Sequence, residues 1–236
     1  MKRFFTAVLF FCISQSVIAG MDEADEAMSK GDFNIAFTEY LPLAKNGNAV
    51  AQERIGELYR RGLGVKQDYA ESFAWYLKSA QQNSAEGQYF VAVLYKNGAG
   101  VAKNDQEAES WYLKSANQGH LGAQVSLGQF YMAKGNFSEG LKWLRKTAGQ
   151  GHIGSILTLG EAHYYGDGVS KDAVKAYRYF HIASHFGRKA DEESAAVAQK
   201  NKDVLSAKLS DKDKKQAELQ ASGFPFEGAM RQKSLE

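Results

Sequence analysis

The chain has 236 residues, with 29 Lys and Arg against 27 Asp and Glu, and a single cysteine, Cys12. So balanced a charge supplies no field to gather a phosphate backbone or an anionic lipid surface, which sets nucleic acid and membrane surfaces aside as partners. One cysteine excludes an internal disulfide and a thiolate-held zinc site.

Residues 1–19 begin with Lys2 and Arg3, continue through an apolar run from Phe4 to Ile13, and reach Val17-Ile18-Ala19 before Gly20. A charged start, a short apolar centre and a small residue before the cut make a secretory signal, and the run is too short to span a bilayer. Cleavage is expected after Ala19, giving a periplasmic or secreted protein. A lipoprotein signal would need small residues before Cys12, where Phe10 and Phe11 stand. Removing Lys2 and Arg3 leaves 27 charges of each sign and no cysteine. No later run is long enough for a transmembrane segment.

Residues 20–48 read as an N-terminal cap: a short acidic helix over 21–30, then a degenerate repeat carrying Glu39-Tyr40-Leu41-Pro42-Leu43-Ala44. Residues 49–189 repeat in full. Trp75-Tyr76-Leu77-Lys78-Ser79-Ala80 returns as Trp111-Tyr112-Leu113-Lys114-Ser115-Ala116, as Trp143-Leu144-Arg145-Lys146-Thr147-Ala148 and as Tyr179-Phe180-His181-Ile182-Ala183-Ser184, at steps of 36, 32 and 36. Ahead of each lies a first-helix motif: Ile55-Gly56-Glu57-Leu58-Tyr59, Val91-Ala92-Val93-Leu94-Tyr95, Leu127-Gly128-Gln129-Phe130-Tyr131 and Leu159-Gly160-Glu161-Ala162-His163. Apolar residues four apart form one helical stripe, and the small residue beside each first position lets a partner helix come close. Three repeats join their helices through Gly62-Leu63-Gly64-Val65, Gly98-Ala99-Gly100-Val101 and Gly166-Asp167-Gly168-Val169. The third has the shorter Lys134-Gly135, so the 32-residue step is expected to fall in a loop. Each second helix is expected to open on Asp32, Asp68, Asn104, Asn136 or Asp172, with Glu71, Glu107 and Glu139 completing three capping boxes.

Leu-Gly-x-x-Tyr, Gly-x-Gly-Val, the Asp or Asn cap, Trp-Tyr-x-Lys-x-Ala and a closing Gly together resemble the Sel-one-like repeat family, relatives of the tetratricopeptide repeats, over roughly residues 33–188. The resemblance implies an all-α, right-handed α-solenoid of helix-turn-helix units: about four full repeats, a degenerate N-terminal one and C-terminal capping helices. Residues 190–222 are expected to supply those helices, with Ala195, Ala196, Ala198, Val204, Leu205 and Leu209 covering the last repeat, and 223–236 a flexible tail.

Catalytic chemistry is hard to find. The glycine turns lack the phosphate-loop spacing, and no Gly-x-Ser-x-Gly occurs. His181 and His185 share a helix face without a third ligand, so no metal is expected. His120 and His152, after Gly119 and Gly151, read as exposed turn residues. Trp75, Trp111 and Trp143 read as core. Cysteine-rich members of the resembled family linked to β-lactam chemistry carry cysteine pairs that this chain lacks. We therefore expect no enzyme and no cofactor.

In the resembled family the first helices line the concave side. The partner-binding set this implies is Glu53, Glu57, Arg60 and Arg61, then Tyr89, Val93 and Lys96, then Gln129 and Met132, then Glu161 and Tyr164. Glu57 and Arg60 are expected to satisfy each other, while Tyr89, Met132 and Tyr164 offer anchors. The expected function is that of an exported scaffold or adaptor for a protein or peptide in the bacterial envelope. A cell-wall-fragment-binding protein or hydrolase and a host-directed effector are the alternatives.

Overall fold

The computed structural model describes residues 20–187 and 191–224; the expected signal, residues 1–19, and residues 225–236 of the expected tail lie outside them. Among the described residues the chain is all α-helix, a solenoid of helical hairpins. It divides into two compact units, Met1–His120 and Leu121–Glu236. The first holds α1 (residues 20–30), α2 (Phe33–Lys45), α3 (Ala49–Arg61), α4 (Tyr69–Gln81), α5 (Ala85–Asn97) and α6 (Asp105–Asn117). The second holds α7 (Leu121–Ala133), α8 (Phe137–Gly149), α9 (Ile153–Tyr165), α10 (Ala173–Phe186), α11 (Glu192–Ser206) and α12 (Asp211–Ser222).

From α2 to α9 every helix has 13 residues. The hairpin connections over 62–68, 98–104 and 166–172 shrink to 134–136 in the third repeat, so its missing four residues come from the loop and both helices keep their length. Burial follows the predicted stripe: Ile55 and Leu58, Val91 and Leu94, Leu127 and Phe130, and Leu159 and Ala162 are all buried. The small residue in that stripe is a steric necessity. A Cβ on Gly56 would lie 3.0 Å from the Tyr76 ring, and one on Gly160 would lie 2.6 Å from Phe180.

The glycine turn does two jobs. Gly98 closes α5 in the left-handed region at φ +67°, its amide reaching the Leu94 carbonyl. Two residues on, Gly100 at φ +70° lies so close to the start of α4 that a Cβ would fall 2.1 Å from the Tyr69 carbonyl oxygen. This glycine seats one repeat on the one before it.

Capping follows the sequence in part. Asp68, Asn104, Asn136 and Asp172 accept amide hydrogens at the starts of α4, α6, α8 and α10, but Asp32 makes no such bond at α2. The boxes are half-formed, because each cap's own amide is already donated backward: Asp68 to the Tyr59 carbonyl, Asn104 to Tyr95, Asn136 to Tyr131 and Asp172 to His163. The last position of the first-helix motif thus holds the second helix through its backbone.

Repeats are also tied by buried glutamines. Gln52 donates to the Ala44 carbonyl at 3.1 Å and accepts from Gln82 at 2.8 Å; Gln88 donates to the Ala80 carbonyl at 3.4 Å and accepts from Gln118 at 2.8 Å. In the second unit Gln124 accepts from Gln150 at 3.2 Å. Ile156 takes the equivalent place in the fourth repeat and joins its apolar core.

The tryptophans are only partly core. Trp75 is buried, whereas Trp111 and Trp143 are half-buried. The lysine three residues on covers each ring, Lys78 at 3.7 Å, Lys114 at 3.8 Å and Lys146 at 5.3 Å from the ring centre.

At the C-terminal end α11 and α12 both pack on α10. Ala195, Ala198 and Leu205 are buried and Leu209 is half-buried as expected, and Val204, though 46% exposed, lines a cavity against α9 and α10, but Ala196 faces outward. The start of the expected loose tail is held: Phe224 meets the Tyr179 ring edge-on at 6.1 Å between centres.

Candidate functional site

In the first unit, α3 and α5 present a mixed-charge face around a cavity of about 370 Å³ lined by Glu53, Arg54, Glu57, Tyr76, Glu86 and Phe90. Its floor is aromatic, with Tyr76 stacked on Phe90 at 4.6 Å. Burial pushes the Tyr76 phenol well above its ordinary range, so it stays neutral.

The predicted residues of this unit meet different fates. Glu53 accepts from the Ser79 hydroxyl at 2.8 Å and from the Ser84 hydroxyl, which ties α3 to the end of α4 and the cap of α5. Glu57 pairs with Arg61 at 3.1 Å and Arg54 at 3.6 Å. The expected Glu57–Arg60 pairing is replaced, because Arg60 turns its guanidinium over the Phe90 ring at 5.0 Å. Arg61 is exposed beyond its pair with Glu57. Tyr89 stacks on His120 at 4.7 Å, and Val93 and Lys96 are half-buried further along α5.

Sequence reasoning missed Arg54, Glu86 and the role of His120. Far from an exposed turn residue, His120 is half-buried and bonds Glu86 at 2.8 Å, holding that carboxyl below its ordinary range. A signal was available. His120 stands 36 residues after Ser84 and 72 after Asn48, both first-helix caps, so it occupied a structural register and not an open turn.

In the second unit Gln129 is exposed on α7, while Met132 packs under α8, where a Cβ on Gly140 would meet its sulfur at 2.8 Å. Met132 therefore serves the hairpin more than the surface. Glu161 and Tyr164 do come together. They line a cavity of about 110 Å³ with Tyr165 and Phe180, closed on its far side by Asn201 and Val204 of α11. Burial raises the Glu161 carboxyl above its ordinary value. Val204 was expected to cover the last repeat, but sequence reasoning did not find Asn201, whose place depends on how α11 folds back.

His152, also read as exposed, caps α9: its Nδ1 accepts from the Ser155 amide at 3.0 Å, and burial lowers its basicity. His181 and His185 stack at 6.1 Å with rings almost parallel, and no group of three metal-ligating side chains forms among the described residues. No described helix is long and apolar enough to cross a membrane.

The Sel1 repeat model matches residues 49–84, 85–120, 121–152 and 157–185, each segment spanning one hairpin described above. Among solved structures, a Sel1 repeat protein from Oxalobacter formigenes is 32% identical, with 72% of this chain and 71% of that one covered at a TM-score of 0.63. The c5321 protein, a protective antigen present in uropathogenic Escherichia coli strains and displaying an SLR fold, is 31% identical at a TM-score of 0.57. The match to it covers 88% of this chain and 53% of that one, so this chain spans about half its length. No curated protein sequence matches. With four repeats matched over more than half of its length, and a solved relative above 30% identity over most of it, the chain belongs to the Sel1 repeat family.

Proposed function

We propose that this protein is an exported scaffold that holds a protein or peptide partner against the first helices of its repeats, acting in the bacterial envelope and without catalysis. Sel1 repeat proteins generally serve as non-catalytic scaffolds for protein–protein interaction. One observation carries the reading to this chain. Side chains on the open faces of α3 and α5 are charged and aromatic and surround a cavity of about 370 Å³, while the apolar stripe of the same helices is spent on the core. Arg, Tyr and Phe in such a setting suit a polar peptide with a few anchoring residues. The charged and apolar pattern of residues 1–19 supports export.

The test is affinity capture from an envelope extract, using residues 20–236 and a Tyr89→Ala, Arg61→Glu variant of equal helicity. A protein retained by the parent and lost by the variant supports the scaffold and its face. Equal retention by both removes this face from the reading. N-terminal sequencing of protein made in a bacterial host is expected to begin at Gly20, and an intact Met1 in the envelope fraction would overturn the signal.

A further inference from the structure

Within the second unit, Glu161 differs from the acids that line the first unit's cavity. Glu161 is half-buried in the wall of the 110 Å³ cavity, and no hydrogen bond or ion pair to it forms among the described residues. Burial raises its carboxyl above the ordinary value. Its counterparts are engaged: Glu53 by two serines, Glu57 by two arginines and Glu86 by His120.

An uncompensated, partly desolvated carboxylate destabilises the fold that holds it, and such groups concentrate where a ligand supplies the missing partner. The surroundings say which ligand. Tyr164 and Tyr165 meet edge-on at 4.9 Å beside Glu161, Phe180 forms the floor, and Asn201 and Val204 close the outer wall. Tyr165 is 61% exposed, so its ring stands at the rim, where an arriving chain would meet it. Aromatic faces around a carboxylate attract a cation carried on an apolar stem, the first through their quadrupole and the second through its charge. The size excludes larger occupants. A cavity of about 110 Å³ is well below the roughly 300–1,000 Å³ of small-molecule and cofactor sites and matches a single side chain.

We propose that this cavity is a receptor for one cationic side chain, a lysine or arginine of the bound partner, with Glu161 taking the charge, Tyr164 and Tyr165 flanking the stem and Asn201 bonding nearby backbone. The proposal rests on the scaffold reading and gives it a specificity: the partner docks a basic residue at the fourth repeat.

The test is a two-dimensional NMR titration of the purified protein with the capped tripeptide Gly-Lys-Gly, with Gly-norleucine-Gly as the uncharged control. The lysine peptide is expected to shift the signals of Glu161, Tyr165 and Asn201 saturably in the millimolar range, and the norleucine peptide to leave them in place. Glu161→Gln, which relieves a half-buried charge and so preserves the fold, is expected to weaken binding at least about ten-fold, the loss of a charge-assisted bond of ~1.5–3 kcal/mol. Tyr165→Leu, at the exposed rim, is expected to weaken it about two- to five-fold. Binding should also fall as acidification protonates Glu161. Equal shifts from both peptides, undiminished binding by Glu161→Gln, or no saturable shift at these residues would each overturn the receptor. The two readings fail separately: an envelope partner captured through Tyr89 and Arg61 alongside a blank titration sinks only the receptor. Lysine binding with no captured partner sinks the scaffold and leaves a site for basic peptides.

Discussion

Gly100 carries two constraints at once, a positive φ and a backbone neighbour where its Cβ would be. Gly119, at φ +92°, carries the first without the second, since nothing lies within 4 Å of its Cβ position. Left-handed backbone costs a non-glycine residue about 1–2 kcal/mol, and overpacking a site that cannot yield adds about 1–3 kcal/mol. Gly119→Ala is therefore expected to cost about 1 kcal/mol and Gly100→Ala about 3 kcal/mol or more, read from urea unfolding. Equal costs would mean that the Tyr69 carbonyl can retreat and that the second glycine of the turn is conformational only. Glu161 gives a second residue-level prediction. Its folded carboxyl binds a proton more tightly than the ordinary value of 4.5, so the folded state holds more protons than the unfolded one between the two values. Stability then falls as pH rises through that window and stays lower above it. Glu161→Gln should raise the melting temperature at pH 7, and the gain should fade as the pH drops below 4.5. A variant that melts lower at pH 7 would show that the carboxylate has a stabilising partner.

Among elements, the buried glutamines do for repeat stacking what apolar stripes cannot, since they specify register as well as contact. Gln88 reaches both the Ala80 carbonyl at the end of α4 and the Gln118 amide at the end of α6. Gln88→Ala removes a buried side chain's bonds to the Ala80 carbonyl, which keeps the Asn83 amide as a donor, and to the Asn83 side chain, a loss of about 1–3 kcal/mol, whereas Gln118→Ala removes an exposed side chain and should cost under about 1 kcal/mol. A double-mutant cycle between them is expected to show coupling of about 0.5–1.5 kcal/mol, and zero coupling would mean water replaces the pair. This ladder was visible in the sequence as Gln52, Gln88 and Gln124, spaced by 36, yet apolar periodicity alone drew the helices. Spacing and apolar stripe suffice for helix positions, turn lengths and core faces because those depend on local geometry. Glu57's choice of Arg54 and Arg61 over Arg60 depends on where Phe90 of the next hairpin puts its ring, a contact that one helix's pattern cannot encode. Glu86 and His120 are 34 residues apart for the same reason, and Asn201 enters the Glu161 cavity only because α11 turns back onto α10.

For the molecule as a whole, a repeat array needs ends that differ from its middle, because the last hairpin would otherwise expose the stripe meant for a neighbour. Here α11 and α12 close that end without forming another repeat. Leu205 and Ala217 cover Tyr177 and Phe180, and Ala198 and Ala221 join Ile156, Ile182 and Ala183. The Tyr177 hydroxyl donates to Glu218 at 2.8 Å, and burial with this bond to a carboxylate pushes its phenol up to about 12. Burying a side chain such as Phe is worth about 1.5–3 kcal/mol, against a typical total of about 5–15 kcal/mol for a domain, so losing both helices threatens the second unit outright. A chain ending at residue 207, without α12, is expected to stay helical and melt several degrees lower. A chain ending at residue 187 should aggregate or lose the helicity of α9 and α10, seen by circular dichroism and by hydrogen exchange at Ile156, Leu159 and Phe180. If the shorter chain instead remains folded, exposure of the Glu161 wall to water predicts that Glu161→Gln no longer raises its melting temperature. A gain that survives the truncation would show that burial by α11 is not what perturbs the acid.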